Sequence, residues 1–294
     1  MIKKIFQTSI NGKWILAGEH AVIRGAPAIL FPLPRFKLAL SYKHSSTPWQ
    51  LRLAGNLTDD YAAPLQQVIA HGFELINKPF PTQGTLLLEN NIPVSAGLGA
   101  SAALCTALSE WFAHSHWIHP SELIEFARQL ENLFHGESSG ADIAVTATNH
   151  PIYFVRNQTI EPFTPHWQPN WYLSHCGQAS STADCLKTVS ALWKTNPHHA
   201  KTIDDIMKNS VSLAKHALGL DASSGLPLLK EAIEQACQAF SQWKLIPVTL
   251  NTHLEDLMKA GALAVKPTGS GNGGYVLSLW PSHTPPSRQD LIGL

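Results

Sequence analysis

The sequence predicts a mixed α+β fold arranged in two domains. Strand-like and helix-like segments alternate in both halves of the 294-residue chain, and they do not form one uniform βαβ series. The stretch 162–169 contains three prolines in eight residues, which is typical of a domain boundary. The length is also suited to one large domain or two smaller ones. We therefore expect one domain over residues 1–168 and a second over residues 169–294.

The composition excludes several classes of protein. Lys and Arg number 21 and Asp and Glu number 21, so the formal net charge is zero, whereas nucleic-acid binders and polybasic membrane-surface proteins carry a basic surplus. The chain has no apolar run of signal-peptide length at its start and none approaching ~18 residues elsewhere. Its four cysteines match no zinc spacing and are expected to be free thiols. We expect a soluble cytoplasmic protein that binds neither nucleic acid nor membrane.

Local patterns predict the elements of the first half in order. Strands are predicted at 13–17, 28–31, 36–41, 50–53 and 84–89. Helices are predicted at 61–76, at 101–112 and from Pro120 onward, with Ser121 as the N-cap.

The second half continues the alternation. Strands are predicted at 151–156, 171–176 and 275–279. Helices are predicted at 182–193, 203–218 and 227–243.

A glycine-bearing segment between a strand and a helix, PVSAGLGASAA at 93–103, is the first candidate for chemistry. Gly97 and Gly99 permit a tight turn, and the start of the following helix adds unpaired N–H groups and a partial positive charge. This combination suits a phosphate, although an ordinary glycine-rich turn would have the same pattern. The segment is neither GxxxxGK[ST] nor GxGxxG.

Two carboxylates define the second candidate. On a 3.6-residue helical wheel, Glu131 lies beside Ala127 at the margin of the apolar face. A carboxylate there needs a partner, and a bound cation or a salt bridge would both supply one. Asp142 follows a Ser-Ser-Gly turn, where a helix dipole favours a carboxylate.

Glycines mark the third candidate, KPTGSGNGG at 266–274, where four glycines in six residues indicate close approach of the backbone to another group. The strand-like residues 275–279 that follow would anchor this loop. Near the N-terminus, Lys13 begins an apolar strand and Glu19-His20 follows it, so polar groups lie at both ends of the strand.

Together these segments resemble the superfamily of galactokinase, homoserine kinase, mevalonate kinase and phosphomevalonate kinase (the GHMP kinases). Its central signature P-x-x-x-G-L-G-S-S-A-A is similar to 93–103. Within it the mevalonate kinase family looks most similar, because 12–29, 135–142 and 266–274 match its motifs in order. The resemblance implies a left-handed βαβ unit in the N-terminal domain and a ferredoxin-like α/β C-terminal domain. It also implies phosphorylation of the primary hydroxyl of mevalonate by ATP, with Mg²⁺, in isoprenoid precursor synthesis, and it is compatible with a homodimer.

The resemblance also implies roles for individual residues. Asp142 would take the substrate proton beside Lys13, and Ser101 and Glu131 would bind Mg²⁺. The residues implied to bind ATP are Pro93, Gly97, Leu98, Gly99, Ala100, Ser101, Gly269, Ser270 and Gly271. Those implied on the substrate side are Glu19, His20, Thr182 and Thr268.

The chain departs from the family pattern at several positions, which are Asn11, Ala100, His175-Cys176, Ser180 and Asn272. Ser180 stands where the family has a basic residue, so the identity of the substrate stays open. The alternatives are phosphomevalonate kinase, a sugar kinase, or a nucleotide-binding regulatory protein without catalysis. The presence of Lys13, Ser101, Glu131 and Asp142 together argues against the last of these.

Overall fold

The structure is a computed structural model and describes residues 5–281 and 288–294. Its mixture of helices and sheets confirms the predicted α+β class. The chain forms two compact units. The first contains Met1–Lys13, Pro32–Val94 and Gly99–Asn149, and the second contains Trp14–Phe31, Ser95–Leu98 and His150–Leu294.

The elements within the described residues are as follows. The strands are β1 (Ile5–Ala17), β2 (Ala28–Pro48), β3 (Gln50–Gly55), β4 (Gln83–Asn90), β5 (Ile152–Phe154), β6 (Glu161–Pro162), β7 (Trp171–His175), β8 (Ala264–Thr268), β9 (Tyr275–Leu279) and β10 (Ile292–Gly293). The helices are α1 (Ala62–Leu75), α2 (Ala100–His114), α3 (Leu123–His135), α4 (Ala141–Thr148), α5 (Thr182–Thr195), α6 (Pro197–Leu218), α7 (Ala222–Gln242) and α8 (Val248–Lys259).

In the first unit, β3 and β4 pair in parallel and α1 connects them, so they form a βαβ unit. On its other side β4 pairs antiparallel with residues 38–48 of β2. The helix α2 buries ten of its 15 residues and packs against α3 and α4, which makes it the central helix of this unit. Apolar residues almost all round a helix are typical of such a position.

In the second unit, four antiparallel strands form a sheet in the order β10-β7-β9-β8. Every residue of β8 and β9 is buried. The long helices α6 and α7 pack against each other, and α7 and α8 pack against β8. The first residues of β2 also belong to this unit, where they pair with β5.

Three predicted helix starts are wrong. The helix predicted at 203–218 begins at Pro197, because the Asn196 side chain caps its first turn by accepting a hydrogen bond from the His199 N–H. Ser121 is not the N-cap of a helix: the His119 side chain accepts a hydrogen bond from the Ser121 N–H in a short 3₁₀ turn, and α3 begins only at Leu123. The third helix of the second half begins at Ala222, five residues before Pro227, because the Asp221 carboxylate caps its first turn. The N-cap carboxylate upstream, and not the proline, therefore determines where this helix begins.

Among the residues that the structure describes, no helix is both long and apolar enough to cross a membrane.

Candidate active site

The segment that joins β4 to α2 bends through three residues with positive φ. Ser95, Gly97 and Gly99 have φ of 56°, 81° and 81°. A Cβ on Gly97 would lie 2.9 Å from the Thr268 carbonyl oxygen, and a Cβ on Gly99 would lie 2.7 Å from Lys13 Cγ. Both glycines are therefore required by close approach as well as by conformation. Because Gly99 has no side chain, it leaves the N–H groups of the first turn of α2, which contains Ser101, for other acceptors.

Lys13 and Asp142 form an ion pair in the first unit. Lys13 Nζ lies 2.7 Å from Asp142 Oδ2, and the two side chains are 2 % and 32 % exposed. Lys13 lies in β1, and Asp142 lies in the first turn of α4, whose N-cap is Gly140 with φ 83°. The buried ammonium needs this carboxylate, because a charge taken out of water without a partner is strongly unfavourable. The carboxylate is held in one orientation and is still partly open to solvent.

Glu131 lies in α3 close enough to this pair to interact with it electrostatically. Its side chain is buried, and Ser138 Oγ donates a hydrogen bond to Oε2. The pKa of Glu131 is raised to about 7, mainly by burial and also by the charge of Asp142, against the opposing effects of the Ser138 hydrogen bond and of Lys13. A cation near Glu131 would favour its ionised form. The helical wheel placed Glu131 only at the margin of the apolar face, whereas packing of α3 on α2 buries it.

The second unit contains a buried ion pair between Glu19 and Lys266. Lys266 Nζ lies 2.5 Å from Glu19 Oε1, and Lys266 is fully buried in β8. Lys266 also donates to the Ile15 carbonyl at 3.3 Å, and Thr268 Oγ1 exchanges hydrogen bonds with the same backbone residue. These contacts hold β8 against the residues that precede Glu19 in the chain.

His20 follows Glu19 and is held by the glycine-rich loop. Its Nε2 lies 2.8 Å from the Ser270 carbonyl oxygen, which can only accept, so Nε2 carries the proton. Burial lowers the pKa of His20 to about 4. The ring is therefore neutral at pH 7.

The glycine-rich loop lies between β8 and β9. Gly269 and Gly271 have φ of 93° and 81°, and Thr182, the first residue of α5, donates from Oγ1 to Ser270 Oγ at 3.3 Å. A Cβ on Gly269 would lie 2.8 Å from Gly97 Cα. Within the second unit, the loop therefore contacts both the turn that contains Gly97 and the start of α5.

The structure brings the predicted residues into two groups. Lys13, Glu131 and Asp142 interact in the first unit, where Gly99, Ala100 and Ser101 form the start of α2. The predicted residues of the second unit are Glu19, His20, Gly97, Leu98, Thr182, Thr268, Gly269, Ser270 and Gly271.

Among the residues that contact these groups, Ser138, Ser180 and Lys266 have no role assigned from the sequence. Ser138 lies inside the motif at 135–142 and Lys266 inside the motif at 266–274. Their position in these motifs is a signal from which a role could have been predicted. Ser180 was noted only as a departure from the family pattern.

Comparison with known proteins shows which sequences this chain is similar to. Residues 65–150 match the family model of the GHMP kinases N terminal domain. The mevalonate kinase of Aeropyrum pernix is 25% identical over 303 residues, which cover 95% of this chain and 90% of that protein. The mevalonate kinase of Arabidopsis thaliana is 24% identical, with 93% and 90% covered.

Solved structures share the fold. L. major mevalonate kinase in complex with R-mevalonate has a TM-score of 0.78 at 21% identity, covering 96% of this chain and 90% of that one. Lactococcus lactis galactokinase complexed with galactose has a TM-score of 0.75 at 14% identity, covering 95% and 86%. The motifs, the family model and these similarities agree, and they confirm the resemblance found in the sequence. Residues 65–150 therefore match the N-terminal domain of the GHMP kinases, and the relatives from Aeropyrum and Arabidopsis that the chain resembles over most of its length are mevalonate kinases.

Proposed function

We propose that the protein transfers the γ-phosphoryl group of ATP to the primary hydroxyl of mevalonate, giving 5-phosphomevalonate and ADP. The observation that carries this proposal is the Lys13–Asp142 ion pair, in which a buried ammonium lies 2.7 Å from a partly exposed carboxylate. The mevalonate kinases to which the chain is similar supply the identity of the substrate.

Asp142 would accept the proton of the attacking hydroxyl. A carboxylate is a suitable base when it is ionised and held in hydrogen-bond reach of the hydroxyl. Lys13 fixes the orientation of the Asp142 carboxylate through their ion pair at 2.7 Å. Lys13 would also offset the negative charge on the transferring group.

The segment from Pro93 to Ser101 would bind the phosphates of ATP. Positive φ at Gly97 and Gly99 changes the direction in which the backbone N–H groups of this segment point. The helix α2 begins directly after Gly99. Helix N-termini favour anions through their unpaired N–H groups and the helix dipole. The glycine-rich loop at Gly269–Gly271 would close on the same phosphates.

Glu131 and Ser101 would hold Mg²⁺. Glu131 is a buried carboxylate with a pKa raised to about 7, and the carboxylate of Asp142 lies near it. A hard divalent cation suits this place, because it would favour the ionised form of Glu131. Among the described residues, no group of three or more His, Cys, Asp or Glu side chains is arranged to hold a metal ion by itself. The donor set still fits, since Mg²⁺ often takes one or two protein oxygens together with phosphates and water. When bound, Mg²⁺ would neutralise charge on the ATP phosphates.

Glu19, His20, Thr182 and Thr268 would define the substrate side of the site. The neutral, buried His20 and the paired Glu19 provide fixed polar groups without a net positive surplus. A phosphorylated substrate would favour added basic residues there, and Ser180 stands where the family has one. These features favour mevalonate over phosphomevalonate.

We also propose that residues 1–168 and 169–294 correspond to the N- and C-terminal GHMP kinase domains. The protein would act in the cytoplasm, where mevalonate and Mg²⁺·ATP would both be available to it.

The test is release of ADP with mevalonate, phosphomevalonate, galactose and homoserine as acceptors, with and without Mg²⁺. We expect turnover with mevalonate that requires Mg²⁺ and is lost in Asp142→Asn. The matched control is Asp205→Asn, because Asp205 forms a salt bridge of the same length, 2.7 Å, with Lys201 on the surface of α6. Turnover with another acceptor and none with mevalonate would overturn the assignment of the substrate.

A further inference from the structure

The segment 176–182 is hydrogen-bonded along its length to the glycine-rich loop. The Cys176 N–H donates to the Gly274 carbonyl at 3.0 Å, and the Gly274 N–H donates to the Gln178 carbonyl at 2.8 Å. The Gln178 side-chain amide donates to the Asn272 carbonyl at 3.0 Å. The two segments therefore pack side by side within the second unit. The glycine-rich loop is held by these hydrogen bonds as well as by its connections to β8 and β9.

Ser180 lies at the centre of this contact and is 8 % exposed. Its Oγ donates to the Gly271 carbonyl and lies 2.8 Å from Ser270 Oγ. Its backbone N–H donates at 3.0 Å to the carbonyl of Ser95, which begins the turn that leads to Gly97. One serine thus contacts both glycine-bearing segments of the proposed phosphate site.

The directions of the hydroxyl hydrogen bonds follow from the number of protons. Each hydroxyl has one proton to donate. The proton of Ser180 goes to the Gly271 carbonyl, so Ser270 must donate to Ser180, and Thr182 donates to Ser270. The order is Thr182 to Ser270 to Ser180 to the Gly271 carbonyl, a connected chain with a single direction. In this arrangement Thr182 has only acceptor capacity left for a ligand.

We propose that Ser180 is a positioning residue, which holds the glycine-rich loop at Ser270–Gly271 and, through Ser270, orients the Thr182 hydroxyl for the substrate. This inference rests on the proposed function, in which Thr182 and the loop contact substrate and ATP. It also accounts for the departure at position 180: the serine there takes part in a buried hydroxyl chain, which a long basic side chain would not reproduce.

The effect should be measurable without substrate. A net buried hydrogen bond contributes about 1 kcal/mol, which corresponds to about fivefold in an opening equilibrium. Ser180→Ala should therefore increase amide hydrogen exchange by about fivefold or more at residues 269–274. The matched control is Ser210→Ala, because Ser210 is likewise buried and donates from Oγ to a backbone carbonyl, that of Ala232 at 2.7 Å. This control should lose a similar bond without changing exchange at 269–274.

Kinetics supply the second measurement. With mevalonate and Mg²⁺·ATP, Ser180→Ala should raise KM by about fivefold, and Ser180→Thr, which keeps the hydroxyl, should restore most of the loss. Ser270→Ala should have a similar effect, and the double variant Ser180→Ala/Ser270→Ala should lose no more than the worse single variant, because the two residues act through one chain.

The outcomes separate the two proposals. The role of Ser180 would be overturned if amide hydrogen exchange at 269–274 in Ser180→Ala equalled that of the wild-type protein. It would also be overturned if the effects of Ser180→Ala and Ser270→Ala on KM added up in the double variant, even if mevalonate is phosphorylated. If the wild-type protein does not turn over mevalonate, the proposed function is overturned. Amide hydrogen exchange at 269–274 in Ser180→Ala would still decide whether Ser180 holds the loop.

Discussion

Replacing Gly99 with alanine tests whether the glycine loop and the catalytic pair depend on each other. Gly99 has φ 81°, and a Cβ there would lie 2.7 Å from Lys13 Cγ and 3.1 Å from Lys13 Cε. These atoms belong to a buried side chain whose Nζ is held 2.7 Å from Asp142 Oδ2. Lys13 therefore has no free end that could move aside without changing its contact with Asp142.

The expected magnitudes follow from this geometry. A left-handed backbone conformation costs an alanine about 1–2 kcal/mol. In a chain of this size that corresponds to a fall in Tm of about 2–8 °C, at roughly 2–4 °C for each kcal/mol. Displacement of Lys13 and Asp142 by about 1 Å should reduce kcat by ~10²-fold, as misplacement of catalytic groups does in general.

The assay combines thermal unfolding with steady-state turnover of mevalonate. Gly25→Ala is the matched control, because Gly25 has φ 87° and, apart from Gly25 and its two chain neighbours, no heavy atom of the described residues lies within 4 Å of an added Cβ. Gly99→Ala should lose at least as much stability as Gly25→Ala, since only the cost of positive φ is common to both, and only Gly99→Ala should lose turnover. Equal stability losses with unchanged kcat in Gly99→Ala would refute the reasoning that Lys13 is held by contact with Gly99.

The remaining predictions concern charge and pH. Asp142→Asn should reduce turnover by ~10²–10⁴ and leave ATP binding, followed by nucleotide titration, nearly intact. Lys13→Met should give a similar loss, and the double variant should lose far less than the product of the two, whereas multiplicative losses would mean independent roles. Glu131→Gln should raise the Mg²⁺ concentration needed for half-maximal turnover more than it lowers Tm, and the reverse result would make Glu131 a structural residue. The pKa of His20 is lowered from 6.5 to about 4, so between these pH values the unfolded chain binds more protons at His20 than the folded chain does. The contribution of neutral His20 to the free energy of unfolding is therefore fully present above pH 6.5, and up to about 3 kcal/mol of it is lost as the pH falls to 4. Urea unfolding at several pH values measures this loss, and an equally steep profile in His20→Gln would contradict its assignment to His20.

Elements with strong local patterns were predictable from the sequence. The strand β9 was predicted with its observed bounds, since five residues of strand-forming character directly follow the glycines. The helix α8 is an exception, because the sequence analysis did not include it although Leu250, Leu254 and Leu257 have the i, i+4, i+7 spacing of an amphipathic helix. The strand β8 was missed because it contains Lys266 and Pro267, neither of which is typical of a buried strand.

In the candidate site, too, some features follow from local sequence and others depend on contacts between distant segments. The turns at Gly97 and Gly99 are encoded locally, since positive φ selects glycine, so the sequence indicates them. The burial of Lys266 depends on Glu19, which is 247 positions away in the chain. Likewise, Glu131 is buried by packing between α3 and α2 rather than by anything in its own helix. Contacts between distant segments leave no periodic signal in either of them.

The buried pair of Glu19 and Lys266 affects how substitutions at these positions are interpreted. Removing one partner leaves a charge in the interior, which typically destabilises a protein by about 3–5 kcal/mol, whereas replacing both partners together can be nearly neutral. A lost activity in Glu19→Ala would thus confound folding with substrate binding. Comparison of Glu19→Gln/Lys266→Met with its single variants would separate the two effects. Among natural or selected variants, we expect these two positions to change together.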